Sequence, residues 1–479
     1  MKWIRRAKIV CTLGPATFSS EAIEKLILTG MDVARLNFSH GDYSIYDRVI
    51  RMIREKSHRL KKFIPIVQDL QGPKLRTGEL ENKELELKRG QRLLVTTQEI
   101  MGTEEMISVP FRPLPRLLKS GNSILIDDGL IELKVLRSKG HVIECRVVNG
   151  GVLKEHKGVN IPYVKTKEAS LTLKDKKDLA FGIRKEVDFV ALSFVRSAHD
   201  ILELRKRIPK SKKIGIIAKI EKREAIDAFD EILEVSDGIM IARGDLAVES
   251  STEIVPCLQK EIIQKCNRAL KPVITATQML ESMVFHPRPT RAEASDVANA
   301  VLDGSDALML SSETASGHYP FETVAMMDKI IQEVEHHHFH LNQAYFAEPH
   351  IERRKRTSLA VHSDALERAA CQLAEGVGAK LLCCLTERGR SAVELAHARP
   401  SQPIVALTNE PMTVRRLSLV WGVRSYLIKN LFKGKQIFKT IRAYLLQHKM
   451  VQVGDKIVIT TGKFTHSPDT THIVKAHQI

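Results

Sequence analysis

The 479-residue chain contains few aromatic residues, no Cys-x-x-Cys pair and no apolar stretch approaching the ~20 residues that a transmembrane helix needs. The lack of such a stretch argues against a membrane partner. The seven cysteines are an odd number, so we expect reduced thiols and a cytoplasmic protein. The basic start, Met1-Lys-Trp-Ile-Arg-Arg-Ala-Lys8, precedes an apolar run that is too short to predict a signal peptide.

The formal net charge of +17 is the strongest bias in the composition. Such a charge is typical of nucleic-acid binders, but here the lysines and arginines are spread along the whole chain. Aromatic residues make up only 5% and no nucleic-acid motif is present, so we expect no nucleic-acid partner and an attraction for small polyanionic substrates. The hydrophobic content of 43% is typical of globular proteins, and the length predicts roughly two to four domains.

Short apolar runs alternate with amphipathic helical stretches such as Ser20–Leu28 and Ala198–Lys206 over much of the chain. The runs predicted as strands are Ala7–Gly14, Asp32–Phe38, Ile64–Leu70, Asp188–Phe194, Ile214–Ile220, Asp237–Arg243, Pro272–Gln278 and Asp306–Ser312. All but one of the intervals between them fit a β/α unit of about 30 residues, and eight such units form a TIM barrel. We therefore predict a (β/α)8 catalytic barrel made of residues 1–72 and 166–340.

The one long interval, residues 73–165, contains alternating strands separated by glycine turns such as Ser120-Gly121-Asn122. This pattern predicts an inserted antiparallel β domain. Because it follows the third barrel strand, at the face where barrel enzymes carry their active sites, we expect it to act as a lid. The charge run Glu352–Arg356 marks a further boundary, and the helices and strands of residues 357–479 predict a C-terminal three-layer α/β regulatory domain.

Two acidic residues, Glu221 and Asp245, follow consecutive apolar runs, and each has a basic residue two positions before it. If the runs are neighbouring parallel strands, both carboxylates emerge side by side at one edge of the sheet. They would repel each other and resist ionisation, and a divalent cation removes that problem. Lys219 then directs a positive charge at the anion that the metal holds. The pattern predicts a site for phosphate or carboxylate chemistry.

Most of the other predicted strands also end in polar residues. The polar residues at or just beyond the strand ends are Arg35, Asn37, Ser39 and His40 for the second strand, Asp69, Lys74 and Arg76 for the third, Thr277 and Gln278 for the seventh, and Ser311 and Glu313 for the eighth. A purely structural pattern would scatter such residues over both ends of the barrel. Barrel enzymes place reacting groups at the carboxyl ends of strands, so this asymmetry predicts the active face.

Six segments of the barrel sequence stand out by their length and order: Lys8–Thr17, Gly30–Gly41, Ile241–Glu249, Ala276–Met283, Pro289–Glu293 and Ser295–Val301. They resemble the signatures of the pyruvate kinase family, and the resemblance extends over the barrel, the lid and most of the last domain. It implies transfer of the phosphoryl group of phosphoenolpyruvate to ADP, giving pyruvate and ATP in the last step of glycolysis. It also implies a homotetramer.

The resemblance assigns roles to the acidic pair and to two basic residues. Glu221 and Asp245 are expected to hold Mg²⁺ or Mn²⁺, which also binds substrate oxygens. Lys219 is expected to lie against the phosphoryl group in flight, where a fixed cation offsets negative charge. Arg35 is expected to grip the same group, because its planar fork suits phosphate oxygens.

Further roles implied by the resemblance concern the rest of the substrate. Gly244 and Asp245 open a short helix whose free N–H groups can take the substrate carboxylate. Thr277 is expected near the methylene carbon that gains a proton, either directly or through water tied to Ser311 and Glu313. Nucleotide contacts are implied for His40, Arg76 and Lys157, and supporting positions for Arg243, Gln278, Ser311 and Glu313. The sequence leaves open whether Arg243 is a ligand or an ion-pair scaffold.

One position departs from the family pattern. Many members bind K⁺ through residues matching Asn37, Ser39, Asp69 and the carbonyl of Leu70, and a glutamate after Gly-Pro accompanies that requirement. Here that position is Lys74. An ammonium group on a flexible stem can take over the role of the monovalent cation, so we expect activity that does not require K⁺. The alternatives are that Lys74 faces solvent at the lid hinge, and that Asn37 and Ser39 cap the following turn.

The C-terminal domain carries a loop between a strand and a helix that, in the family, binds the phosphate of an effector. Its residues here are Thr386, Arg388, Gly389, Arg390 and Ser391. Hydroxyls, arginines and a helix N-terminus are suited to phosphate, so a sugar-phosphate effector is implied. The partner loop, Gly462–Thr471, departs from the usual glycine-rich pattern, which leaves the identity of the effector open.

Two other functions are compatible with the residues alone. A metal-dependent lyase or aldolase acting on an oxo-acid shares the Glu/Asp metal pair, but it gives no reason for a lid or for Arg76 beside Lys74. A non-enzymatic nucleic-acid binder on a barrel scaffold would explain the charge, but not the set of Lys219, Glu221 and Asp245. An ADP-coupled assay separates the first alternative, and salt-sensitive retention of DNA or RNA the second.

Overall fold

The structure is a computed structural model that describes residues 5–39, 41–162, 164, 169–341, 358–429, 431, 437–462 and 473–479. Within them three regions each have hydrophobic cores of their own: a barrel, a domain inserted into it, and a C-terminal α/β domain. None of the described helices combines the length and apolar character that a bilayer crossing requires. The predicted residue boundaries between the domains stay predictions.

Parallel strands close into the predicted eight-stranded barrel, and the first strand pairs with both the second and the eighth. The barrel strands are Lys8–Leu13, Val33–Asn37, Ile66–Asp69, Phe189–Leu192, Gly215–Ile220, Gly238–Ala242, Val273–Ala276 and Ala307–Leu310. All of them fall within the predicted runs. They are buried on both faces, which explains why their sequences are continuous apolar runs rather than alternating patterns.

Helices surround this barrel and pack their apolar faces against it. They are Ser20–Thr29, Tyr43–Arg59, Leu173–Arg184, Ala198–Arg207, Arg223–Asp227, Phe229–Val235, Arg243–Glu249, Val255–Arg268, Arg291–Leu302, Ser312–Ala315 and Pro320–Leu341, with short 3₁₀ turns at Lys210–Lys212, Thr252–Ile254 and Glu281–Val284. Side-chain caps fix several starts: Thr172 and Thr290 each form a capping box with the acidic residue three positions later.

The interior of the barrel is filled by side chains from alternate positions of the strands, including Val10, Ile217 and Met240. Leu419 of the C-terminal domain joins this cluster and is fully buried. The Trp421 amide donates over 3.0 Å to Asp306, which directly precedes the eighth barrel strand and so lies at the amino end of the barrel. Because the C-terminal domain covers the amino end of the barrel, the open end is the one at which the strands terminate.

The inserted domain contains a seven-stranded sheet and a separate two-stranded ribbon. In spatial order the sheet strands are Leu75–Arg76, Gly158–Asn160, Ser123–Ile126, Ile131–Lys139, Val142–Asn149, Arg92–Thr96 and Met106–Ser108. The ribbon pairs Glu84–Leu87 with Gly151–Lys154, and one helical turn spans Leu114–Leu117. The inserted domain is antiparallel as predicted except for one pair, since Arg92–Thr96 and Met106–Ser108 run parallel.

The C-terminal domain is a five-stranded sheet between two helical layers. Its strands, in spatial order, are Val423–Leu427, Ile404–Thr408, Leu381–Leu385, Lys456–Thr461 and Ile473–Gln478, and its helices are Ser358–Gly376, Arg390–His397, Pro411–Leu417 and Ile437–Gln447. The last strand is antiparallel to its neighbour and the others are parallel. Separate apolar clusters cover the two faces of the sheet, so the predicted three-layer architecture is confirmed.

Candidate active site

Lys219, near the end of the fifth barrel strand, lies at the centre of a buried polar network. Its ammonium is 2.9 Å from Glu221 Oε1 and 3.3 Å from Asp69 Oδ1, and it donates to Ser193 Oγ over 2.7 Å. Burial by itself lowers the pKa of Lys219, but the negative charges of Asp69 and Glu221 outweigh it and raise the pKa above its usual value. The residue therefore presents a fixed positive charge at the carboxyl end of the barrel.

Arg35, at the matching level of the second strand, completes the cationic side of the site. Its Nε donates to Asp69 Oδ2 over 2.8 Å, and one terminal nitrogen donates to Thr12 Oγ1 over 2.9 Å. Burial raises the pKa of Asp69, but the charges of Lys219 and Arg35 outweigh this effect and lower it. One buried carboxylate thus positions two cations that both face the open end of the barrel.

Glu221 and Asp245 follow neighbouring strands, since Ile220 lies beside Ile241 in the register, and Asp245 is in the helix Arg243–Glu249. Glu221 is almost fully buried, and its Oε2 accepts from the Phe194 amide over 2.6 Å. Burial raises the pKa of Glu221, and Asp245 raises it further against the opposing effect of Lys219. Glu221 and Asp245 thus follow neighbouring strands at one end of the barrel, and a metal-binding role for the pair stays a prediction.

These two acids can hold a divalent cation. No group of three or more His, Cys, Asp or Glu side chains suited to a metal is found among the described residues. A hard cation bound by two carboxylates leaves its other positions to substrate oxygens and water, which is how Mg²⁺ is held in phosphoryl-transfer sites. Burial and the charge of Asp245 raise the pKa of Glu221 against the effect of Lys219, and a bound cation would favour the ionised form of this acid.

Thr277 lies just beyond the seventh strand and is joined to the start of the helix Arg243–Glu249. Its hydroxyl donates to Ala276 O over 2.6 Å and accepts from the Gly244 amide over 2.9 Å. Its φ of 70° and the φ of 54° at Gln278 lie in the left-handed region, which is costly for a β-branched residue. Strained backbone of this kind persists where the surroundings fix it, as in many active sites.

Arg243 makes the contacts of a supporting residue. Its guanidinium donates to Asp296 Oδ1 over 2.8 Å and to the Thr277 carbonyl over 2.7 Å. Of the two interpretations left open by the sequence, these contacts favour the ion-pair scaffold. Glu313, fully buried, likewise accepts from the Leu280 and Ser311 amides over 3.2 and 2.6 Å, and burial raises its pKa.

The lid hinge brings one further cation to the acidic pair. The Lys74 ammonium donates to Asp245 Oδ1 over 3.0 Å, so Lys74 is not the solvent-facing residue of the alternative interpretation. Arg76 donates to the His156 carbonyl over 2.8 Å, and both residues line a lid cavity of about 570 Å³ together with Lys74. Lys157 pairs with Asp127 within the lid over 2.9 Å. His40 lies outside the described residues.

Of the residues expected at a monovalent-cation site, Asn37 lies beside Asp69 in the strand register, whereas Lys74 pairs with Asp245. Asp69 is occupied by Lys219 and Arg35, as described above. The Asn37 side chain accepts from the Ser39 amide over 3.2 Å, which is the local turn contact named as an alternative. The Leu70 amide donates to Ala191 O over 3.0 Å.

Two family profiles match this chain: pyruvate kinase, barrel domain, over residues 4–324, and pyruvate kinase, alpha/beta domain, over residues 364–477. The chain belongs to the pyruvate kinase family. It is 43% identical to pyruvate kinases of Sporosarcina psychrophila and Geobacillus stearothermophilus, over 99% of this chain and 81% and 80% of theirs. A pyruvate kinase crystal structure from Cryptosporidium parvum superimposes with a TM-score of 0.90 at 37% identity, covering 99% of this chain and 96% of that one.

Membership of the pyruvate kinase family makes the chain a phosphotransferase enzyme and implies dependence on a divalent metal ion in general. The predicted loop of the C-terminal domain, residues 386–391, lies within the described part of the chain. The Gly389 amide donates to Thr386 Oγ1 over 2.9 Å, and Arg390 Nε donates to Glu394 over 2.9 Å. Ser391 is buried in the first turn of the following helix. The partner loop lies outside the described residues from position 463 to 472.

Sequence reasoning missed residues that bind the cationic side chains of this pyruvate kinase site. Ser193 follows the fourth strand and contacts both Lys219 and Asp69, the latter over 3.3 Å. The rule used for the other strands, polar residues at their carboxyl ends, applies to Ser193 equally. Thr12 lies inside the first strand, and only its inward-facing position, two residues after the interior Val10, distinguishes it.

Proposed function

We propose that this enzyme transfers the phosphoryl group of phosphoenolpyruvate to ADP, giving pyruvate and ATP, the last step of glycolysis. The observation that carries the proposal is the placement of the Lys219 ammonium 2.9 Å from Glu221, on the strand next to the one that leads into Asp245. Phosphoryl transfer needs little covalent work from protein groups, and positioning and charge neutralisation dominate its catalysis. One end of the barrel carries the cations Lys219 and Arg35 and the acidic pair Glu221 and Asp245. These groups can position the substrate and neutralise its charge.

In the proposed site Glu221 and Asp245 hold Mg²⁺ or Mn²⁺. When bound, this ion neutralises charge on the substrate oxygens. Lys219 and Arg35 exchange contacts with Asp69 and Glu221 for contacts with the phosphoryl oxygens as the substrate enters. Because Asp69 positions both cations, their charges are already in place where negative charge spreads in the transition state.

The remainder of phosphoenolpyruvate is proposed to bind at the start of the helix Arg243–Glu249. The Asp245 amide takes the substrate carboxylate, the Gly244 amide joins it by giving up its contact with Thr277 Oγ1, and Gly244 permits the close approach. Thr277, whose hydroxyl already contacts the Gly244 amide, lies beside that carboxylate and near the carbon that gains the proton. Supporting positions are proposed for Arg243, Gln278, Ser311 and Glu313.

The lid is proposed to deliver the nucleotide contacts. Arg76 and Lys157 bind ADP phosphates, with His40 from the barrel as a third contact. The Arg76 side chain donates to the His156 carbonyl and the Lys157 ammonium pairs with Asp127, and phosphate oxygens can replace both partners.

The monovalent-cation role is proposed to fall to Lys74, so that activity does not require K⁺. Supporting this, the Lys74 ammonium lies at the edge of the site on Asp245, and Asp69 already has two cationic partners. Asn37, Ser39 and the Leu70 carbonyl then shape the site without holding an ion.

For the whole enzyme we further propose a homotetramer in the cytoplasm, with a sugar phosphate as its effector. The effector would bind the loop of Thr386, Arg388, Gly389, Arg390 and Ser391, which precedes a helix N-terminus. Titrating sugar mono- and bisphosphates while following the half-saturating phosphoenolpyruvate concentration tests this site, and the absence of any shift would make the loop purely structural.

The central experiment is a coupled assay of pyruvate formation from phosphoenolpyruvate. Pyruvate should form only when ADP and a divalent metal are both present, and a chelator should abolish it. Metal-dependent pyruvate formation without ADP would indicate a different reaction, and equal rates with and without the chelator would contradict the metal site.

A further inference from the structure

Glu249 is a buried acid that joins three parts of the molecule. It is the last residue of the helix Arg243–Glu249, whose first turn carries Asp245, and its side chain is only 3% exposed. Its Oε1 accepts from Asn160 Nδ2 over 2.8 Å and lies 3.3 Å from the Lys222 ammonium. A buried carboxylate is costly unless it is paired, so both partners matter for its position.

One of these partners leads directly to the other acid of the proposed metal pair. Lys222 is the residue after Glu221, and its side chain is 13% exposed. Its ammonium lies 5.9 Å from the centre of the Phe194 ring, and the Phe194 amide donates to Glu221 Oε2 over 2.6 Å. Glu249 therefore constrains the segment that bears Glu221 as well as the helix that bears Asp245.

The other partner belongs to the lid. Asn160 ends the strand Gly158–Asn160, which pairs with Leu75–Arg76 at the hinge, and it is 5% exposed. A second lid segment approaches the same helix, since a Cβ placed on Gly129 would lie 3.9 Å from Val248 Cγ2. The lid thus contacts the barrel at the far end of the helix that carries Asp245.

We propose that Asn160, Glu249 and Lys222 form a latch through which the position of the lid and the occupancy of the divalent-metal site control each other. The three are positioning residues that act through Glu221 and Asp245. The inference rests on the proposed function, because it takes these two acids as the metal ligands. In the structure the Asn160 amide and the Lys222 ammonium both contact Glu249, which joins the lid to the helix that carries Asp245 and to the residue that follows Glu221. By linkage, a metal that prefers this arrangement favours the closed lid to the same extent.

An exchange of donor and acceptor tests the latch. Asn160→Asp places a second carboxylate against Glu249, so the two negative charges repel each other. Glu249→Gln removes the negative charge that pairs with Lys222. In the double variant N160D/E249Q the carboxylate is at position 160 and the amide is at position 249. The pair therefore again contains one donor amide and one carboxylate, and the carboxylate at position 160 is available to Lys222. Asn149→Asp, an exposed position in the same lid sheet, is the matched control. Asn160→Ala serves if the charge-opposing variant does not fold, as judged by thermal unfolding.

The measurements use the full-length protein with Mn²⁺ as the probe and no substrate. Hydrogen exchange of residues 158–160 reports the lid, and electron paramagnetic resonance titration reports bound Mn²⁺. In the wild type and in Asn149→Asp, saturating Mn²⁺ should slow exchange about tenfold. In each single latch variant the slowing should fall below about twofold. Because the two effects are linked, Mn²⁺ affinity should weaken by the same factor by which the slowing decreases. The double variant should recover most of both effects.

Single variants that keep the full Mn²⁺-dependent slowing would overturn the latch, as would a double variant no better than its parents. These results are distinct from failure of the proposed metal site. In that case wild-type protein would bind no Mn²⁺ at all, whereas failure of the latch alone leaves Mn²⁺ binding intact and independent of Asn160.

Discussion

The Lys74 ammonium donates to Asp245 Oδ1 over 3.0 Å, so a cation from the lid hinge neutralises one of the two acids proposed to hold the metal. A divalent ion that binds Asp245 must compete with it. We therefore expect Lys74→Met to strengthen Mn²⁺ binding in the absence of substrate. Because the pair is partly exposed, at 22% and 20%, the gain should not exceed about fivefold, which corresponds to about 1 kcal/mol. Titration by electron paramagnetic resonance measures it, and weaker binding in the variant would contradict the competition.

The same residue carries a prediction about monovalent cations. Lys74→Glu replaces a positive charge by a negative one at the edge of the site, and we expect it to create a K⁺ requirement that the wild type lacks. Turnover in buffers containing only Na⁺, only choline or added K⁺ measures this. Lys88→Glu, an exposed lid position, is the control and should leave turnover unchanged. A wild-type enzyme that loses most of its activity without K⁺ would refute the idea that Lys74 takes over the role of that ion.

Lys8 is buried where the C-terminal domain covers the barrel, and it donates to Val423 O over 2.7 Å. Burial lowers the pKa of Lys8 to about 8, from 10.5. Between these values the unfolded chain binds a proton that the folded one does not, so folding should become more favourable as pH rises from about 8 to 10.5. The integrated gain is of the order of 3 kcal/mol.

Lys8→Met should lack this gain. Thermal unfolding of the two proteins from pH 7 to 10.5 gives the comparison, and the stability of the wild type relative to the variant should increase across the upper part of that range. If the difference stays constant with pH, the Lys8 ammonium is not the group that titrates.

Much of the fold was predictable because barrel strands are buried on both faces and recur with their helices at a nearly constant interval. The runs that contain Arg35, Asp69, Lys219 and Thr277 near their carboxyl ends therefore indicated both the barrel and its polar end. The parallel pair in the lid was not predictable, because glycine turns reveal where strands end and not the direction in which the next one begins.

The contacts within the site were harder to predict than its members. Lys74 and Asp245 are 171 residues apart, and nothing local to either one indicates the other. The sequence placed Lys74 near Asp69 by resemblance, whereas the buried charges of Arg35 and Lys219 already occupy that acid in the structure. Pairings of this kind depend on how domains pack, which local patterns do not encode.

Lys219 is the fixed cation beside the transferred phosphoryl group, and the proposed reaction depends on it more than on any other side chain. Its most direct test is the rate of ADP-dependent pyruvate formation by Lys219→Met at saturating metal and substrates, with the exposed Lys206→Met as control. We predict that kcat falls about 10²- to 10³-fold in the first variant and not in the second, as expected for removing one preorganised charge. A Lys219→Met enzyme that folds normally and retains a kcat within about twofold of the wild type would contradict the account.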